Sequence, residues 1–89
     1  MYNVFIAFQK NEDSRAIVNA ILADNPTAIV SDQPAMVKID VPGRMVIRKS
    51  TIEEEIGRDF DLQEMHVHLI TLSGNIDETD DEFSLTWNQ

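Results

Sequence analysis

Apolar residues along this 89-residue chain alternate, then cycle with a helical period, then alternate again. Over residues 2–9, Val4, Ile6 and Phe8 alternate with Asn3, Phe5 and Ala7. Both sets are mostly apolar, which predicts a strand buried on both faces or central in a sheet. Residues 11–13 supply turn and helix-cap chemistry. Over residues 14–24 the period changes. Ile17, Val18, Ile21 and Leu22 fall on one stripe of a helix. Asn25-Pro26 stops that helix, because the residue before proline is pushed out of the α region. A short β-branched strand follows over residues 27–32 and ends at Gln33-Pro34.

Residues 35–41 alternate cleanly, with Ala35, Val37, Ile39 and Val41 on one face and Met36, Lys38 and Asp40 on the other. Val41-Pro42-Gly43-Arg44 has the residues of a type II turn, and residues 44–49 are again strand-like. Tight two-residue hairpins prefer primed turns, so this connection is expected to be wider than a minimal hairpin. Ser50-Thr51-Ile52-Glu53 has the form of a capping box. It predicts a short helix to about Ile56, with Gly57 near its end. Residues 61–64 offer one more helical turn. Residues 65–72 read as a strong strand with Ser73-Gly74-Asn75 as its exit. Residues 77–82 read as an acidic loop, and the alternation of Phe83, Leu85 and Trp87 predicts a last strand. The order is β-α-β-β-β-α-(α)-β-β, an α+β fold of helices on mostly antiparallel strands. No repeat or linker divides the chain, so residues 1–89 are expected to form a single domain.

Composition narrows the function. Sixteen acids oppose seven bases, a formal net charge of −9. That balance argues against nucleic acid and anionic membranes as partners, since both recruit basic patches. The absence of cysteine excludes disulfides, iron–sulfur clusters and thiolate zinc sites. No signal-peptide pattern and no apolar run of about 20 residues is present. A cytoplasmic protein is expected. Five of the seven bases lie in one central stretch, Lys38, Arg44, Arg48, Lys49 and Arg58. This predicts a dipolar molecule with a mixed-charge docking surface.

Little supports catalysis. The glycines Gly43, Gly57 and Gly74 are too far apart to cradle phosphate. No serine lies in a nucleophile elbow, and a chain this short leaves little room for a deep pocket beside its core. The acids Asp77, Glu78, Asp80, Asp81 and Glu82 lack the glycine and distal glutamate of a calcium loop. His66 and His68 would share one face of a strand, with Glu64 nearby, and so form a candidate metal pair lacking an obvious further ligand. No resident metal or cofactor is expected.

Several pieces, in order and at near-constant spacing, carry a family resemblance. They are Ala23-Asp24-Asn25-Pro26, Pro42-Gly43-Arg44, Ile47-Arg48, Ser50-Thr51-Ile52-Glu53-Glu54 and the run from Gly57-Arg58-Asp59 through Phe60-Asp61-Leu62-Gln63. The chain resembles the regulatory (effector) proteins of multicomponent bacterial diiron monooxygenases, most of all those of phenol hydroxylases. The resemblance implies a βαββ unit followed by a βααββ-type unit. It implies a cofactor-free effector that docks on a diiron hydroxylase, reshapes its active site and raises turnover and coupling in aromatic hydroxylation. In the methane relatives the stretch matching Lys49-Ser50-Thr51 faces the hydroxylase, which makes Ser50 and Thr51 contact candidates. Arg44, Arg48 and Glu54 complete the expected docking face, and Arg58 and Asn75 are secondary contact candidates. Methane-type effectors carry a long N-terminal tail; here the first strand starts almost at Met1, and no tail function is carried over. A large exposed apolar docking surface would also favour a weak homodimer that competes with the hydroxylase. A small metal-binding protein using His66 and His68, and a passive adaptor subunit, are the alternative readings.

Overall fold

The computed structural model describes residues 3–87. Seven strands form two antiparallel sheets with helices packed against them. In chain order the elements are β1 (Asn3–Gln9), α1 (Glu12–Asp24), β2 (Ile29–Asp32), β3 (Met36–Pro42), β4 (Arg44–Arg48), α2 (Lys49–Ile56), a 3-10 turn (Leu62–Glu64), α3 (Met65–His68), β5 (Leu69–Ser73), β6 (Asn75–Glu78) and β7 (Glu82–Thr86). The larger sheet has the order β2-β3-β1-β5, the smaller one β4-β7-β6. The second half therefore carries one strand more than the expected βααββ unit. Tyr2, expected to open β1, lies outside the described residues.

The alternation in β1 has the consequence it predicts. Val4, Ile6 and Phe8 pair with Val41, Ile39 and Val37 of β3, and all six are buried. On the other face Phe5 is half-buried beneath the Lys38 ammonium, 4.4 Å from its ring centre. Asn11 caps α1, its side chain accepting from the Ser14 N–H while the Ser14 hydroxyl accepts from the Asn11 N–H. The helix thus starts at Glu12, two residues before the expected span of 14–24. One core joins both sheets, with Ile17 and Ile21 of α1, Met45 and Ile47 of β4, Ile52 of α2, and Phe83 and Leu85 of β7 meeting the β1–β3 face.

The Pro42-Gly43 turn does not make a hairpin. Gly43 has φ +77°, as a type II turn requires, but β3 pairs with β1 and β2 while β4 pairs with β7. An unprimed turn splays its strands rather than matching their twist, and here the splay sends the chain from one sheet into the other.

Residues 65–68 form a helical turn, not the start of a strand; β5 begins at Leu69. The reason lies just upstream. Asp61 accepts from the Gln63 N–H at 2.9 Å, and the Glu64 carboxylate accepts from the Asp61 N–H at 3.1 Å. This capping box nucleates a turn that continues into Met65. Leu62 and Met65, three apart, are buried, whereas Val67 is 72% exposed. The apolar period here is helical, although Met65, Val67 and Leu69 also alternate. The acidic stretch is only partly a loop, since Asp77 and Glu78 lie in β6 and Glu82 in β7. Trp87 falls just after β7 and remains partly exposed.

Asn25 ties the end of α1 to the smaller sheet. β4 is an edge strand, and the outward N–H and C=O of its central residue, Val46, are both taken by the buried Asn25 side chain. Asn25 Oδ1 accepts from the Val46 N–H at 2.9 Å, and Asn25 Nδ2 donates to the Val46 carbonyl at 2.6 Å and to the Ile21 carbonyl at 2.8 Å. One amide thus ends α1 and completes the edge of β4. Asn25→Ala would strand these groups and should cost about 2–4 kcal/mol of stability. Asn25→Asp, similar in shape, turns a buried anion toward two carbonyls and should cost at least as much. Urea denaturation of both variants against the parent chain checks this.

Candidate functional site

The expected docking residues lie on two adjoining elements and at two outliers. Arg44 and Arg48 stand at the ends of β4 on its outer face, with half-buried Val46 between them. Four residue steps of strand separate them, or roughly 13 Å. The chain passes from Arg48 directly into α2, where Ser50 and Glu54 are exposed one turn apart on the same side. Asn75 opens β6. It pairs with Thr86 of β7, which pairs in turn with Arg44, so Arg44 and Asn75 flank Thr86 at one end of the smaller sheet. Arg58 lies apart, beyond Gly57, whose φ of +74° ends α2. Its guanidinium turns to the Asp59 carbonyl at 2.8 Å and to Glu64 at 3.4 Å.

The charge on this face is more balanced than the clustered bases suggest. Arg48 lies 3.7 Å from Glu82, and Arg58 lies 3.4 Å from Glu64. Lys38 sits on the larger sheet beside Phe5 and Asp40. Among the described residues Arg44 forms no ion pair. A mixed face remains, with Arg44 and Lys49 as cations outside any ion pair among the described residues.

The capping-box expectation fails in an informative way. α2 begins at Lys49, and its N-cap Arg48 makes no side-chain cap. Ser50 and Thr51 are already inside the helix and cannot cap it. Glu53 reaches forward instead and accepts from the Phe60 N–H at 2.9 Å. The first turn is held from α1. One oxygen of Asp24 accepts from the Arg48 N–H at 3.3 Å and the other from the Thr51 hydroxyl at 3.0 Å. In the sequence Asp24 and Asn25 stood out as a helix stop and as part of the family resemblance, and neither signal pointed to β4 or α2 as what they hold.

The histidines do not share a face. His66 points to Glu78, 3.6 Å away, and lies edge-on to Phe83. His68 Nδ1 meets the Asn11 amide at 3.3 Å. Glu64 is engaged with Arg58 and the Asp61 N–H. Among the described residues no three His, Asp or Glu side chains gather as a metal site would require. The strand that would have aligned the two rings is a helical turn, which points alternate residues apart. Among the described residues, too, no helix is long and apolar enough to cross a membrane.

The MmoB/DmpM family profile matches residues 2–86. The chain belongs to that family. Over 84 residues it is 51% identical to the stimulatory component DmpM of phenol 2-monooxygenase from Pseudomonas sp. (strain CF600), covering 94% of this chain and 93% of the relative. It superposes with a TM-score of 0.93 on a chain from a phenol hydroxylase–regulatory protein complex, at 49% identity over 98% of this chain and 100% of that one. The soluble methane monooxygenase regulatory protein B shares the fold, with a TM-score of 0.76 at 22% identity over 97% of this chain and 65% of that one. The MmoB/DmpM fold thus holds its β4–α2 corner through Asp24 and Asn25 in this member.

Glu64 gives a pH test of the loop beside Arg58. The Asp61 N–H, and then the Arg58 guanidinium, hold its carboxyl below its ordinary value. A carboxyl held low in the folded chain adds stability that is complete above its unfolded value and is lost as pH falls through the folded one. Glu64→Gln should therefore be less stable than the parent near neutral pH, with the gap closing as pH falls below the ordinary carboxylate range. Urea midpoints measured across that range check the sign.

Proposed function

We propose that this chain is the cofactor-free regulatory effector of a phenol (aromatic) hydroxylase system. It binds the diiron hydroxylase of that system, reshapes its active site, and raises turnover and coupling without catalysing a reaction itself. The observation that carries the reading is near-full-length likeness to two kinds of relative at once. One is the stimulatory component of a phenol monooxygenase, and the other is the regulatory protein in complex with phenol hydroxylase. The whole chain, residues 1–89, acts as a single effector domain in the cytoplasm.

The physical route is a population shift. An effector can change the hydroxylase only by binding one of its conformations better than another. A coupling of typical size, 1–3 kcal/mol, corresponds to roughly 5–150-fold. Rigid surface is suited to that task, because a floppy one would spend its binding energy on its own ordering. The docking face is the β4–α2 corner, built from Arg44, Arg48, Ser50, Thr51 and Glu54, and Arg58 and Asn75 are secondary contacts outside that corner. Arg44 supplies an uncompensated charge, and Ser50 and Glu54 supply exposed polar groups on a held helix.

Phenol oxidation by the purified hydroxylase and reductase, titrated with this protein, tests the reading. Turnover should rise several-fold and saturate. Unchanged turnover would contradict it, and binding without a change in rate would make the chain a passive adaptor.

A further inference from the structure

α2 is eight residues long and buries only Ile52 completely. A helix so short is not stable by propensity and needs its ends fixed by other parts of the protein. Its last turn is closed by Gly57, whose N–H donates to the Glu53 carbonyl at 2.8 Å. Its first turn has no local cap, and the Asp24 carboxylate performs one half of a capping box from the end of α1. It accepts the Arg48 N–H, as an N3 glutamate would, and it binds the N3 side chain itself, Thr51. The anion also faces the positive end of α2. Asn25, next in the chain, fixes where Asp24 stands by its grip on Val46. Ser50 is left exposed between Thr51 and Lys49, whose N–H donates to the Asp81 carbonyl at 2.9 Å.

We propose that Asp24 is a positioning residue for hydroxylase binding, acting through its bridge to Arg48 and Thr51. The bridge keeps the first turn of α2 in the form the hydroxylase meets and presents Ser50 outward. The Thr51 hydroxyl serves that bridge rather than the partner, so Thr51 belongs to the docking face through the turn it holds. This rests on the docking reading above. Cutting the bridge lowers the fraction of molecules with the competent turn, and apparent affinity falls by that fraction. The bound form is the same, so turnover at saturation is retained.

The test uses the full chain with hydroxylase and reductase, and reads the effector concentration for half-maximal stimulation separately from turnover at saturation. Asp24→Ala should raise the half-saturating concentration about tenfold, corresponding to a competent fraction of about one tenth. Thr51→Val, which keeps the shape and removes the hydroxyl, should raise it several-fold. Thr51→Ser should stay within about twofold of the parent, because it retains the hydroxyl that donates to Asp24. The double variant Asp24→Ala/Thr51→Val should be no weaker than Asp24→Ala, since both changes cut one bridge. Circular dichroism and urea denaturation establish that each variant is folded in the assay; should Asp24→Ala not fold, the Thr51→Val and Thr51→Ser pair decides. Parent-like half-saturation in folded Asp24→Ala or Thr51→Val would overturn the proposal. So would a further loss from Thr51→Val in the Asp24→Ala background, which would make the hydroxyl a direct contact, or a loss confined to turnover at saturation. The parent chain in the same assay separates outcomes, because its failure to stimulate would refute the effector reading and leave Asp24 aside.

Discussion

The end of α1 holds the second half of the molecule in place. Asn25 completes the edge of β4 through both outward groups of Val46, and Asp24 closes the first turn of α2. Two adjacent side chains thereby connect a helix, an edge strand and a second helix. An edge strand with free N–H and C=O groups invites pairing with other chains. Here the centre of that edge is satisfied within the molecule. At the centre of β4 what faces a partner is side chain, and side chains can be specific in a way that an open strand edge is not.

Much of the fold was legible because period reports burial. The alternation of Val4, Ile6 and Phe8 and of Val37, Ile39 and Val41 reads directly as two paired strands with a shared buried face. The capping role of Asn11 and the stop at Asn25-Pro26 were equally local. Three features were not legible because a distant partner decided them. Ser50-Thr51-Ile52-Glu53 has capping-box form, yet the strand runs straight into the helix and Asp24 supplies the cap. The residues from Met65 to Leu69 fit both periods, and the turn nucleated by Asp61 and Glu64 selects the helical one. The Pro42-Gly43 turn was identified by type, but where it sent the chain depended on β7, forty residues on.

The site was legible in part. Sequence placed Arg44, Arg48, Ser50 and Glu54 close together, and the β4–α2 corner keeps them so. It overstated the charge, because Glu82 and Glu64 come from later segments to meet Arg48 and Arg58. It missed Asp24 and Asn25, whose roles exist only once β4 and α2 lie against them. Resemblance to the effector family supplied the partner, which neither composition nor periodicity could name.

If the β4–α2 corner is the docking face, binding must shield its backbone more than any other part of the chain. Amide hydrogen exchange of the full protein, alone and with saturating hydroxylase, measures this directly. Slowed exchange concentrated over residues 44–56, with β2 and its pairing to β3 unchanged, is the expected result. Protection confined to β2 and β3, with residues 44–56 exchanging as in the free protein, would contradict the account.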